Sequence, residues 1–175
     1  MKVSTAVVFA AAAVPGAIAD FWMVYLSRKV HGDAPLIDSI PDGDGCAFVD
    51  NPELTCEGDA GTHSIYDNSG DVSGKKLGMR TVPGNDVGFP LYREPLDVVE
   101  FNVGGNYETG HQTIYKDRGY ALVNLVDAKT GQCYVNRTFI YDMDCHLDDH
   151  HIILKGSSMF FCQSDITHPG TDRLV

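Results

Sequence analysis

Chemistry-bearing residues crowd together in the stretch GHQTIYKDRGYALVNL (Gly110 to Leu125), where His111, Lys116, Asp117 and Arg118 fall close in sequence. A general base must reach its partner within hydrogen-bonding distance. In an extended strand, side chains alternate between faces, which puts His111, Thr113 and Tyr115 on one side and Gln112, Ile114 and Lys116 on the other. His111 and Lys116 therefore point apart. Asp117 and Arg118 fall in a polar segment closed by Gly119, where aspartate bonds its own backbone and arginine stays solvated. The stretch reads as a hairpin with a charged tip.

A second cluster, DMDCHLDDHH, offers Asp142, Asp144, His146, Asp148, Asp149, His150 and His151. Mixed oxygen and imidazole donors suit a divalent ion, but the stretch has no ligand spacing such as HExxH. It reads as an acidic loop between two strands with solvated histidines, and no metal site or cofactor is expected. A third, DGDGCAFVDNPE, sets acids at positions 1, 3, 9 and 12 of a calcium-type loop. Cys46 and Ala47 stand where an EF-hand needs its third acid and its glycine, so the assignment fails. Glu94, Asp97, Glu100 and Glu108 could supply a glycosidase-like carboxylate pair. In an acidic chain such pairs arise by chance. No GxSxG elbow, Ser/His/Asp or cysteine-protease pattern is present. No catalytic residue is assigned, and the chain is read as non-enzymatic.

The N-terminus, MKVSTAVVFAAAAVPGAIA, has the tripartite pattern of an export signal: Lys2, an apolar run from Ala6 to Val14, and Ala17-Ile18-Ala19. The run is too short to span a bilayer. Residues 1–19 are thus expected to be removed, leaving 156 of the 175 residues, enough for one domain, secreted and extracellular. Such a length buries roughly 70% of its unfolded surface. Without Lys2 it carries 12 basic against 24 acidic residues, a surface that repels nucleic acid and anionic membranes.

Export makes disulfides the first reading of Cys46, Cys56, Cys133, Cys145 and Cys162. Two bridges and one thiol can be arranged in fifteen ways. Asn136-Arg137-Thr138 is the only N-glycosylation sequon.

The positioning elements are short runs rich in Val, Ile, Phe, Tyr and Thr between turn residues. Predicted strands are Phe21–Val30, Gly45–Asp50, His63–Asp67, Lys76–Val82, Leu96–Val103, His111–Lys116, Tyr120–Val126, Gln132–Tyr141, Ile152–Leu154 and Ser158–Cys162. The spacing predicts an all-β fold, a single-domain antiparallel sandwich or barrel stapled by disulfides. Turns at Gly104-Gly105, Lys116–Gly119 and Asp127–Gly131 chain a four-stranded meander from Leu96 to Tyr141. The domain is placed at residues 20–166. Pro83–Pro95 reads as irregular and residues 167–175 as a flexible tail.

Several segments, in this order, resemble a fungal group: DFWMVYLSRK, DVSGKKLGMR, VVEFNV, GHQTIYKDRGY, GQCYV and MFFCQS. These are small secreted cysteine-containing proteins, including relatives of hypersensitive-response-inducing elicitors of plant pathogens. The likeness spans Asp20 to about Ser164. It implies an extracellular β-rich protein without settled enzymatic activity, of effector or elicitor type. Typical members carry a cysteine after the segment matching Gly78-Met79-Arg80 and another shortly beyond. Here Thr81 follows and neither is present. Cys56, Cys133, Cys145 and Cys162 match the remaining positions. The resemblance thus implies bridges Cys133–Cys145 and Cys56–Cys162, with Cys46 unpaired or in an intermolecular link.

The function expected is that of a non-catalytic secreted effector acting on a host, with a host extracellular protein or cell-wall glycan as partner. The hairpin tips at Lys116–Gly119 and Asp127–Gly131 would be its recognition surface. The alternative is a module binding carbohydrate or another small extracellular ligand. Trp22, Tyr25, Tyr115, Tyr120 and Tyr134 are its candidate aromatic platforms, although such residues more often pack in cores and at edges.

Overall fold

A computed structural model of the chain describes residues 19–32, 42–59, 72, 76, 78–82, 96–102, 110–147 and 150–165. The leader up to residue 18, the predicted strand His63–Asp67, Gly104-Gly105, the segment Pro83–Pro95 and the tail 167–175 lie outside these residues.

Among the described residues, nine strands form one antiparallel sheet: β1 (Ala19–His31), β2 (Gly43–Val49), β3 (Gly78–Val82), β4 (Val98–Asn102), β5 (His111–Tyr115), β6 (Ala121–Asn124), β7 (Lys129–Val135), β8 (Ile140–Leu147) and β9 (His150–Ser164). The order across the sheet is β2-β1-β9-β7-β6-β5-β4-β3, and β8 also pairs with β9. The sheet curls into a nearly closed barrel. Across the interior, Phe48 of the edge strand β2 meets Phe101 of β4, the neighbour of the other edge strand β3, with ring centroids 4.9 Å apart.

Alternation sorts the side chains. Phe21, Met23, Tyr25, Cys46, Phe48, Met79, Val99, Phe101, Ile114, Leu122, Cys133, Phe160 and Cys162 fill the interior. On the outer side of β1, β2, β8 and β9, a second cluster gathers Val24, Leu26, Ala47, Val49, Tyr141 and Leu154. Residues 50–59 pack over this cluster. Leu54 contacts it, the Tyr141 hydroxyl donates to the Pro52 carbonyl at 3.0 Å, and a one-turn helix, α1 (Cys56–Asp59), ends the cover.

Two predicted boundaries are wrong, each for a physical reason. The predicted strand Gln132–Tyr141 is two strands, β7 and β8, lying end to end along the same edge of β9. Between them, Asn136 N–H still donates to the Met159 carbonyl. Conversely, the two predicted strands Ile152–Leu154 and Ser158–Cys162 are one, β9. Gly156 and the serines after it look like a turn by composition. In the fold Gly156 sits where β1 passes so close that a Cβ would fall on the Tyr25 carbonyl. The glycine serves close approach within a sheet, and β9 carries a bulge at Met159, which has no counterpart in β1 between Met23 and Val24.

The disulfide pairing implied by the resemblance is also corrected. The bridges are Cys133–Cys162 and Cys56–Cys145, with Cα atoms 4.0 and 5.3 Å apart. Cys133 belongs to the interior cluster and Cys145 to a small outer one with Ile152, so they face opposite sides of the sheet and cannot meet. Cys133 is instead opposed to Cys162 by the β7–β9 register, and Cys145 reaches α1 on the outer side. Cys46 is unpaired and fully buried, with its Sγ 3.5 Å from Met159 Sδ. Burial pushes its thiol well above the ordinary range. An intermolecular link through Cys46 does not fit this position.

Candidate functional site

The hairpin tip is built as its residues dictate. A single 3₁₀ turn spans Lys116–Arg118, and Gly119 closes it with φ +64°. Tyr120 follows at φ +63°, costly for a bulky side chain. It is held by its N–H to the Tyr115 carbonyl, its carbonyl to Cys133 N–H, and its ring 5.6 Å from Phe160. Lys116 pairs with Asp97 at 2.8 Å. Arg118 pairs with Asp127 of the next turn and lies over the Tyr115 ring, 4.5 Å from its centroid. The Asn124 side chain organises that turn by accepting from Val126 and Ala128 N–H. The turn's exposed residues include Leu125 and Val126.

His111 does not join this tip. It is buried, and its Nε2 lies 3.0 Å from Glu100 Oε1. Glu100 Oε2 accepts from Arg80 Nε at 2.8 Å, while His111 Nδ1 has no hydrogen-bond partner among the described residues. Among the four carboxylates weighed for glycosidase chemistry, Asp97 and Glu100 thus pair with cations. Glu94 and Glu108 lie outside the described residues. The stretch tested as a calcium loop contains β2.

The aromatic candidates divide by face. Tyr25 is in the interior, and Tyr115 lies under Arg118. Trp22 and Tyr134 are outward, and the register brings them into one row: Trp22 of β1 is opposite Phe161 of β9, which is opposite Tyr134 of β7. Trp22 and Phe161 ring centroids are 5.0 Å apart. Phe139 braces Trp22 edge-on at 5.2 Å. Tyr134 is 50% exposed. Two residues along the same face runs a polar row in the same register, Asp20, Gln163 and Gln132. Beside it is a shallow depression of about 320 Å³ lined by Lys129, Gly131, Gln132, Gln163, Ser164 and Asp165. Phe161 and Gln163 are not among the residues that the sequence singles out. Their alternation with Phe160 and Cys162 was the available signal.

The acidic stretch is not the expected loop. Ile140 to Leu147 is strand β8, with Tyr141, Met143 and Cys145 toward the covered side and Asp142, Asp144 and His146 away from it. Asp142 pairs with Lys155 at 3.1 Å. Asp144, His146 and His151 converge. Asp148 and Asp149 lie outside the described residues.

Asn136 lies between β7 and β8. Its side-chain oxygen accepts from Thr138 N–H at 3.1 Å, and Thr138 is exposed.

Among the described residues, no helix is long and apolar enough to cross a membrane. Compared with known proteins, the chain matches no family model, no curated protein and no solved structure.

Proposed function

We propose that this protein is exported and acts outside the cell by recognition rather than catalysis, with an extracellular glycan as the ligand its outer face fits best. The observation that carries this reading is the cross-strand row Trp22–Phe161–Tyr134 beside the row Asp20–Gln163–Gln132. Aromatic faces supply apolar contact to the C–H surface of a sugar ring, and adjacent amides and carboxylates exchange hydrogen bonds with its hydroxyls. Strands joined at about 4.8 Å spacing hold such groups with little freedom left to lose on binding. The signal-like leader and the paired cysteines support export. Co-sedimentation of the mature protein with insoluble chitin and β-glucans tests it. Binding that falls in Trp22→Ala and Tyr134→Ala supports the proposal; no retention on any polysaccharide counts against it.

A second reading makes the protein an effector or elicitor perceived by a host extracellular protein. It rests on the resemblance to fungal elicitor relatives and on the preorganised tip, where Arg118 is fixed by Asp127 and Tyr115 next to exposed Val126. Infiltration of the mature protein into leaves separates the two. A response lost in Arg118→Ala and kept in Trp22→Ala favours the tip; no response counts against it.

A further inference from the structure

The histidines of the acidic stretch are assembled by register. Asp144 and His146 are two residues apart and share one side of β8, and His151 of β9 stands directly opposite His146. On its other edge His151 is opposite His31 of β1. Three imidazoles from three adjacent strands thus form a row with one carboxylate beside it. The His146 and His151 rings are stacked 4.4 Å apart at an interplanar angle of 7°, and the His31 ring is 5.6 Å from that of His151. Both Nε2 atoms converge on the same oxygen: Asp144 Oδ1 is 2.6 Å from His151 and 3.2 Å from His146.

Stability does not explain the convergence. The side chains of Asp144 and His146 are 66% and 77% exposed, and exposed ion pairs contribute little. Two imidazoles compete for one acceptor, whereas Asp142 and Lys155 nearby make an ordinary one-to-one pair.

We propose that Asp144, His146 and His151 bind a divalent transition-metal ion of the zinc class. Imidazole nitrogen with a single carboxylate suits zinc, copper or nickel, whereas calcium requires six to eight oxygens. Bonds of about 2.0–2.1 Å place tetrahedral ligand atoms roughly 3.3 Å apart. The donor atoms of Asp144, His146 and His151 already lie within 4.8 Å of one another. The backbone beneath them is fixed: Cys145, between two of the ligands, is bridged to Cys56, and β9 is paired on both edges. A site carried on such strands holds its geometry better than one on a loop.

The test is calorimetric titration of chelator-stripped mature protein with zinc chloride, with cobalt(II) absorption as a report of tetrahedral coordination. One equivalent should bind saturably. His146→Ala and His151→Ala should each weaken binding by more than about tenfold, with Lys155→Ala and calcium chloride as unresponsive controls. His146 is exposed and His151 about one-third so, and far-UV circular dichroism verifies that both variants fold. Absence of saturable binding overturns the proposal. So does stoichiometric binding that survives unchanged in the His146→Ala/His151→Ala double variant.

Discussion

Cys133 and Cys162 stand directly opposite each other across β7 and β9, whereas Cys145, on the strand that continues the same edge, is bonded on the other side of the sheet to Cys56. One bridge therefore locks the barrel wall from inside, and the other fastens the outer cover to it. A non-reducing peptide map should yield Cys56–Cys145 and Cys133–Cys162 peptides. The loops closed have sequence separations of 89 and 29, each worth about 4 kcal/mol in the chain-entropy account. Replacing both partners of Cys56–Cys145 by alanine should lower the melting temperature at least as much as removing Cys133–Cys162. A Cys133–Cys145 peptide would contradict the fold.

Cys46 should not react with iodoacetamide in the folded protein and should react fully in denaturant, because it is buried and its thiol is shifted upward. The pH dependence has a definite sign. Above the ordinary thiol value of 9.0, the unfolded chain releases this proton while the folded protein retains it, so stability falls as pH rises. Denaturant titrations at increasing pH should show a steeper loss in the native chain than in Cys46→Ala. Equal slopes would refute the linkage.

Glu100 is buried and shared by Arg80 and His111. Glu100→Ala leaves the buried imidazole without its partner and should cost about 3 kcal/mol, at the low end for breaking a buried pair because Arg80 reaches water. Urea unfolding measures this. A loss below about 0.5 kcal/mol would mean that the cluster adds nothing to stability.

Gly156→Ala should be among the most damaging single substitutions. Its Cβ would meet the Tyr25 carbonyl, and the strand pair β1–β9 must part to admit it. A loss of about 3 kcal/mol or more is expected from such overpacking. Thermal unfolding checks it.

Much of this fold can be read in the sequence, because alternation and turn chemistry are local. The meander through β4, β5, β6 and β7 and the hairpin tip at Lys116–Gly119 follow from period-two patterning and glycine placement. What local patterns cannot give is which strands become neighbours. The bridges depend on β7 and β8 sharing one edge of β9, and the aromatic row depends on β1 and β7 flanking that same strand. Gly156 misled because its reason lies across the sheet in Tyr25. The stretch Tyr141, Asp142, Met143, Asp144, Cys145, His146 did carry a strand signal, apolar and ionisable residues in strict alternation. Its acidity obscured the pattern, and the meeting of Asp144 with His151 required the hairpin register.

Trp22 is the only tryptophan in the chain, so its fluorescence reports directly on the proposed recognition face. Titration of the mature protein with soluble chitin and β-glucan oligosaccharides should shift or quench this emission saturably with at least one of them. The change should be weakened in Tyr134→Ala and unaffected in Lys155→Ala. Emission that stays constant up to saturating oligosaccharide in every case would contradict glycan recognition by this face.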